Sequence, residues 1–458
     1  MNVAPLERSS PKSTPQAARG RTIVVGLGRT GLSCARYLRA RGIDFAVTDN
    51  RATPPEAAAL AKLAPDVDAR FGAFDSALLE GASQIVVSPG VSVREPFVME
   101  AIANGLPVLG DIELFAREAR APIAAITGTN GKSTVTTLVA RMGQASGRRT
   151  IAGGNLGRPA LDLLEDDAPE LYVLELSSFQ LETTHSLRAR AACVLNVTSD
   201  HMDRYDSIED YAAAKARILA AAEFAVLNLD DAFVRSMPVG AARALRFASA
   251  AQPQADYYLN KKDDDLLLTR RGEGLVRMSE LKIAGLHNAL NALASLAMAE
   301  ALGLELRSCV EALRTFEGLP HRSQWVAEIG NVRFVDDSKG TNVGATLAAV
   351  AGMPGSLVLI AGGQGKGQDF SPLADAFRNK VRHVVLIGQD AKLLANVLTG
   401  VATYEFATDM HDAVERAAAA AQPSETVLLS PACASLDMFR DYAHRGEEFA
   451  REVRRLQA

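Results

Sequence analysis

A chain of 458 residues is too long for one ordinary hydrophobic core, so several domains are expected. With 48% hydrophobic residues, 22% charged residues and a net charge of -5, it has the make-up of a soluble globular enzyme and excludes a basic nucleic-acid binder. The four cysteines, Cys34, Cys193, Cys309 and Cys433, form no C-x-x-C pair, so neither a zinc knuckle nor a disulfide framework is indicated, and a reducing cytoplasm fits.

Residues 1–20 mix Pro, Ser and charge without the apolar run of a signal peptide, and they read as a disordered tail. From Arg21, the runs "TIVVG", "FAVTD", "QIVVS" and "LPVLG" alternate with helical stretches, which predicts a Rossmann-like domain over 21–110. A second series, "IAAIT", "LYVLE", "CVLNV" and "FAVLN", predicts a larger central domain over 111–318 with a mostly parallel sheet. The helix starting near Asn288 is interrupted by Asn291 and Glu300, too polar to span a bilayer, so no membrane partner is expected. Gly318 and Pro320 break the chain before a third series, "VRFVD", "SLVLIAGG", "HVVLIG" and "TVLLS", giving a second Rossmann-like domain over 319–458. The expected fold is therefore α/β in three domains.

Two glycine loops carry the first chemical signal. Gly26, Gly28 and Gly31 lie between a strand and a helix, with Asp49 ending the next strand, which is the dinucleotide fingerprint. A pyrophosphate in a nucleotide-sugar would be held in the same way, and so would tight turns without any ligand. Ser88 to Ser92, "SPGVS", follows another strand of that sheet. The second loop, Gly128-Thr129-Asn130-Gly131-Lys132-Ser133-Thr134, is shorter than a Walker A loop. It still supplies backbone donors, a lysine for β/γ-phosphates and hydroxyls for Mg²⁺.

Glu175 ends an apolar strand, where an unpaired carboxylate is costly, so it needs a partner such as Mg²⁺. Asp200, His201 and Asp203 follow another strand, and strand C-termini in a parallel sheet share one edge. The Lys132 loop, Glu175 and His201 should converge there. Asp337, Lys339 and Thr341, Lys366, and Ser435 follow three strands of the last domain, as a cleft wall able to close. Three readings are open on these residues: a ligase, an NAD(P)-dependent oxidoreductase built on Gly26 to Gly31, and a nucleotide-gated binding module.

The segments "GTNGKST", "LELSSFQLETT", "NVTSDHMDRY", "HNALNALA", "LPHR", "DDSKGTNVGAT" and "LLSPACASLDMFRDYAHRG" together resemble the Mur ligase family, in the family's order and over everything after the tail. The resemblance implies a cytoplasmic, monomeric, ATP-dependent ligase that adds D-glutamate to UDP-N-acetylmuramoyl-L-alanine through an acyl phosphate. It implies UDP, not NAD, at Gly28, Arg29, Thr30, Asp49, Asn50, Ser88 and Gly90. It implies ATP at the Gly128–Thr134 loop, Asn288, Asn291, Arg322 and Asp337, with Asn155, Ser177 and Gln180 near the muramoyl-alanine carboxylate. Lys339, Thr341, Lys366, Ser435 and Tyr442 would surround the glutamate, with Tyr442 where phenylalanine is usual and Gln364 where an acid often stands. Two Mg²⁺ ions are implied, with ligands among Ser133, Glu175, His201 and Lys215, the last as N6-carboxylysine; from sequence alone Lys215, after three alanines, reads as a solvated charge.

Overall fold

The computed structural model describes residues 20–166, 169–240, 242–262, 265–283, 285–353 and 355–457. The expected tail falls outside the described residues except for Gly20. By internal contacts the chain forms two compact units, Met1–Asp111 and Ile112–Ala458.

The first unit holds strands β1 (Arg21–Val25), β2 (Phe45–Asp49), β3 (Asp68–Phe71), β4 (Ala82–Val87) and β5 (Val108–Leu109). They form one parallel sheet in the order β3-β2-β1-β4-β5. Ile23, Val25, Ala46, Ile85 and Val87 pack into its core beneath the helix Pro96–Ala103. Because β1 lies between β2 and β4, the glycine turn after β1 opens at the point where the strand order reverses, which is where such sheets hold ligands.

The second unit contains two sheets. One is built from β6 (Ile123–Thr127), β7 (Thr150–Gly154), β8 (Leu171–Glu175), β9 (Ala191–Val194), β10 (Phe224–Asn228), β11 (Arg243–Ala248), β12 (Tyr257–Lys262), β13 (Asp265–Arg270) and β14 (Glu273–Arg277). Its order is β14-β13-β12-β11-β10-β9-β6-β8-β7, parallel from β12 to β7 and antiparallel through β12-β13-β14. The helices Lys132–Ala145 and Leu286–Ala301 cover it, and the latter buries Leu293, Leu296 and Met298 completely, which explains its apolar composition without a membrane.

The other sheet runs β15-β16-β20-β17-β18-β19, from β15 (Gln324–Ile329), β16 (Val332–Asp336), β17 (Leu357–Gly362), β18 (Val381–Ile387), β19 (Thr403–Phe406) and β20 (Thr426–Leu429). Only β15 is antiparallel to its neighbour. The helix Leu306–Thr315 ends before Gly318, whose φ of 87° suits glycine, so the break expected there is real. All four cysteines are buried and free, as packing thiols.

Candidate active site

In the first unit the turn Gly26–Gly31 is set by backbone geometry. A Cβ on Gly31 would stand 2.0 Å from the Gly26 carbonyl oxygen, so no other residue fits between strand and helix. Ser88 donates to that same carbonyl at 2.7 Å, tying the loop after β4 to the loop after β1. Gly28 caps the helix Arg29–Ala40, and Arg29, Asn50 and Gly90 are exposed around it with Thr30 half-buried. Asp49 is buried at the end of β2 and accepts from the Leu27 N–H at 2.7 Å and from Arg51 at 2.6 Å. Burial raises its pKa, but those bonds prevail and hold the carboxylate below its ordinary range.

The second unit carries a cleft between its two sheets. A cavity of about 260 Å³ is lined by five basic side chains, Lys132, Lys215, Arg322, Lys339 and Lys366, against two carboxylates, Glu175 and Asp200. Thr129, Asn130, Gly131, Ser133, Asn155, Ser177, His201, Thr341 and Asn342 complete the walls. An adjoining cavity of about 140 Å³ is lined by Thr134, Asn288, Asn291, Asp337 and the less polar Phe247, Leu290 and Ala349. The Gly128–Thr134 loop lies between them at the start of the helix Lys132–Ala145, where the first N–H groups have no partner within the helix and favour an anion.

Close packing fixes that loop. Gly131 has φ 83°, and a Cβ there would meet the Asn291 amide oxygen at 2.4 Å. The Lys132 ammonium donates to the Gly128 and Thr129 carbonyls at 2.9 and 3.0 Å, and Lys215 reaches the Gly128 carbonyl at 3.0 Å from the other side. Lys215 is only 1% exposed, with its ammonium 4.2 Å from the Tyr211 ring centre, so the reading of a solvated charge is overturned. Its helix, Ile208–Ala216, turns the alanine-rich face inward and takes the lysine with it.

Burial shifts these groups strongly. Desolvation, then the neighbouring Lys132, pushes the Lys215 pKa well below the usual lysine value. Desolvation, then Arg322 and Lys132, brings Lys339 down to about 7. His201 falls to about 4, chiefly by burial, and is neutral at physiological pH. Asp337 rises to about 7 by burial, although its carboxylate accepts from the Ser323 N–H at 3.0 Å and from the Ser430 hydroxyl at 2.8 Å. Basic side chains crowded together without matching carboxylates, their pKa values depressed, are the mark of a site built for a polyanion.

Glu175 accepts from Asn155 at 2.6 Å through one oxygen, while its other oxygen is buried with no hydrogen-bond partner among the described residues. Arg322 donates to Ser133 at 2.8 Å and stands between His321 and Ser323, both in the left-handed region at φ 60° and 48°. His201 and Lys366 are left-handed too, at φ 59° and 54°. Such conformations cost roughly 1–3 kcal/mol each and mark functional loops. His201 meets the Phe179 ring edge-on at 4.9 Å between centres.

Not every expected residue faces this space. Gln180 is not among the lining residues; it forms a capping box with Ser177 at the start of the helix Ser178–Glu182. Ser435 and Tyr442 lie outside both cavities, but the Lys339 ammonium rests 3.8 Å from the Tyr442 ring centre. Gln364 contributes through its backbone, exchanging hydrogen bonds of 3.0 and 2.9 Å with Ala434. The sequence reading passed over His287, whose Nδ1 is buried without a hydrogen-bond partner among the described residues, and Asn342, which a helix-starting position would have flagged as a cap.

The chain matches the Mur ligase MurD-like N-terminal domain over residues 20–110, the Mur ligase middle domain over 126–299 and the Mur ligase glutamate ligase domain over 321–433. It is 50% identical to a UDP-N-acetylmuramoylalanine--D-glutamate ligase of Nitrosococcus oceani, covering 96% of this chain and 98% of that one. The protein of the same name from Pseudomonas aeruginosa is 49% identical, with 95% and 98% covered. Among solved structures, the UDP-N-acetylmuramate-alanine ligase MurC of Thermotoga maritima shares the fold with a TM-score of 0.60 at 20% identity, over 96% of this chain and 99% of that one. The oxidoreductase reading, which left the Lys132 loop and Glu175 without a task, finds no support in these matches. Three matched domains in order and half-identical relatives over nearly the whole length place the chain in the Mur ligase family.

Proposed function

We propose that the chain is an ATP-dependent amide ligase joining D-glutamate to UDP-N-acetylmuramoyl-L-alanine, with release of ADP and phosphate, in cytoplasmic peptidoglycan precursor synthesis. The observation that carries the chemistry is the cleft of five basic side chains around a glycine loop at a helix N-terminus. The relatives' shared name carries the choice of substrates. Residues 21–110 would hold UDP, 111–318 ATP and 319–458 the glutamate, in a protein acting as a monomer. Among the described residues no helix is long and apolar enough to cross a membrane.

The substrate carboxylate attacks the γ-phosphorus of ATP, and ADP leaves; the glutamate amine then attacks the acyl phosphate, and phosphate leaves. Lys132, freed from its two loop carbonyls, offsets charge on the β/γ-phosphates, and Arg322 reaches the same loop through Ser133. Asn288 and Asn291 lie beside the smaller cavity, with Asp337, where the nucleoside would sit. Lys339, Thr341 and Lys366 face the larger cavity, where the glutamate carboxylates would be neutralised.

The residues present fit Mg²⁺. Among the described residues no three His, Cys, Asp or Glu side chains cluster as a cage, but Mg²⁺ keeps waters and phosphate oxygens and needs only one or two carboxylates. The Glu175 oxygen that has no hydrogen-bond partner among the described residues and the Ser133 hydroxyl would supply one site. His201 and a carbamylated Lys215 would supply the second, and the burial that depresses the Lys215 pKa supports the neutral amine such a modification requires. When bound, the ions lower the charge on the phosphoryl oxygens. The test is phosphate release with UDP-N-acetylmuramoyl-L-alanine, ATP and a panel of amino acids. D-glutamate should be accepted far above L-glutamate, and release independent of the amino acid would overturn the reading.

A further inference from the structure

Asn342 is 3% exposed, lies in the loop after β16, and spends every hydrogen-bonding position of its amide. Its oxygen caps the helix Val343–Gly352 by accepting from the Ala345 N–H at 2.8 Å, and also accepts from the Asn130 amide at 3.3 Å. Its nitrogen donates to the Asn130 amide oxygen at 3.2 Å and to Asp200 at 3.1 Å. Reversing oxygen and nitrogen would break the cap and set two oxygens against each other at Asp200, so the orientation is fixed. Asn130 belongs to the phosphate loop, where its N–H donates to Asn196 at 2.8 Å. Asp200 in turn holds Lys366 at 2.6 Å across the same cleft.

The contact is tight as well as polar. A Cβ on Gly344, in the first turn of the same helix, would come within 3.0 Å of the Thr198 hydroxyl, so this helix start sits directly on the loops after β6 and β9. The Lys366 loop is braced from the same place, because Gln368 accepts from the Val343 N–H at 3.0 Å. The Asn342 amide thus ties the phosphate loop to the Asp200–His201 loop, and the helix it caps braces the Lys366 loop through the Val343 N–H.

We propose that Asn342 is a positioning residue that couples the state of the phosphate loop to closure of the C-terminal sheet over the cleft, so that Lys366 is placed only when Asn130 is in its ordered position. Its kinetic consequence rests on the ligase reading; its conformational consequence does not. The two substitutions that separate these roles are Asn342→Ser, which keeps a capping oxygen but removes the two amide N–H donors that reach Asn130 and Asp200, and Asn342→Asp, which keeps the cap and sets a carboxylate against Asp200.

The experiment measures three quantities on the full chain. Far-UV circular dichroism of Asn342→Ser should match the wild type, showing the helix intact, although the unpaired Asn130 and Asp200 groups lower the unfolding temperature. Dissociation constants for a non-hydrolysable ATP analogue should change less than about twofold, while kcat falls and the KM for glutamate rises, by about tenfold or more together, as expected when one positioning contact is lost. Small-angle scattering with the analogue bound should show a larger radius of gyration for Asn342→Asp than for the wild type. Wild-type kinetics and radius in both variants would overturn the proposal, and so would a loss of analogue binding as large as the loss of turnover. If the wild type shows no ligase activity, the functional reading fails, and the scattering comparison still decides the coupling.

Discussion

At the residue scale, the site is a set of charges held away from their ordinary states. Lys339 lies under desolvation and beside Arg322, Lys132 and Lys366, with Glu175 opposing, and its pKa falls from 10.5 to about 7. The fold therefore favours its neutral form. Between about pH 7 and its ordinary value the unfolded chain binds the extra proton, so this lysine's contribution to stability rises with pH across that window. A bound polyphosphate reverses the preference and draws the proton back. Calorimetric titration with an ATP analogue at pH 8 should show proton uptake, with an enthalpy that depends on the buffer's ionisation enthalpy and a smaller dependence in Lys339→Met; an enthalpy equal in all buffers would refute it. Lys215 gives a second test. A plain ammonium beside a dication repels it, whereas a carbamate supplies the hard oxygens Mg²⁺ prefers. Lys215→Ala should lose nearly all turnover and recover part of it with acetate or formate. Substantial activity in the variant without added carboxylate would end the carbamate idea.

At the element scale, the glycines of the two loops do different work. Gly28 has open space around the position of a Cβ, but Gly131 combines φ 83° with the Asn291 amide oxygen at 2.4 Å. Gly131→Ala should lower stability by roughly 1–3 kcal/mol and weaken nucleotide binding, because strain and overlap both fall on the loop. Chemical unfolding and analogue binding measure the two effects, and a variant like the wild type in both would contradict the packing. The buried parallel strands were legible because runs such as "IVV", "LYVL" and "VLIA" are continuous apolar stretches, as double coverage by helices demands. The strands that the reading missed lack that signature. β3 is the half-exposed "DARF", β7 carries two glycines, β11 is the arginine-bearing "RALRFA", β15 and β19 are edge strands with Trp325, Tyr404 and Phe406 exposed, and β12 to β14 form an antiparallel extension with mixed faces. In the site, Lys132, Glu175 and His201 were legible because each ends or follows a strand. The burial of Lys215 and the bridging by Asn342 depend on how two sheets meet, which no local pattern encodes.

At the scale of the whole molecule, the two glycine loops belong to different compact units, one within Met1–Asp111 and the other within Ile112–Ala458. Each loop has its own lattice of supports. Gly26 to Gly31 is held by Ser88 and Asp49, and the Lys132 loop by Asn291, Asn196 and Lys215. No described hydrogen bond of one loop reaches a support of the other, so damage to one should leave the other's ligand bound. Asp49→Ala removes the acceptor of the Leu27 N–H and should raise the KM for the UDP substrate while leaving that for ATP almost unchanged. Lys132→Ala should do the converse. Its ammonium is the group that can leave two loop carbonyls for a phosphate, so turnover should fall by at least about a hundredfold, more than 2.7 kcal/mol of transition-state stabilisation. Calorimetric binding of the UDP substrate to Lys132→Ala should stay within about twofold of the wild type, since one charge in another unit carries little coupling. Near-wild-type phosphate release would remove Lys132 from the chemistry. Loss of UDP-substrate and ATP binding together in a folded variant would show that the two loops serve one ligand.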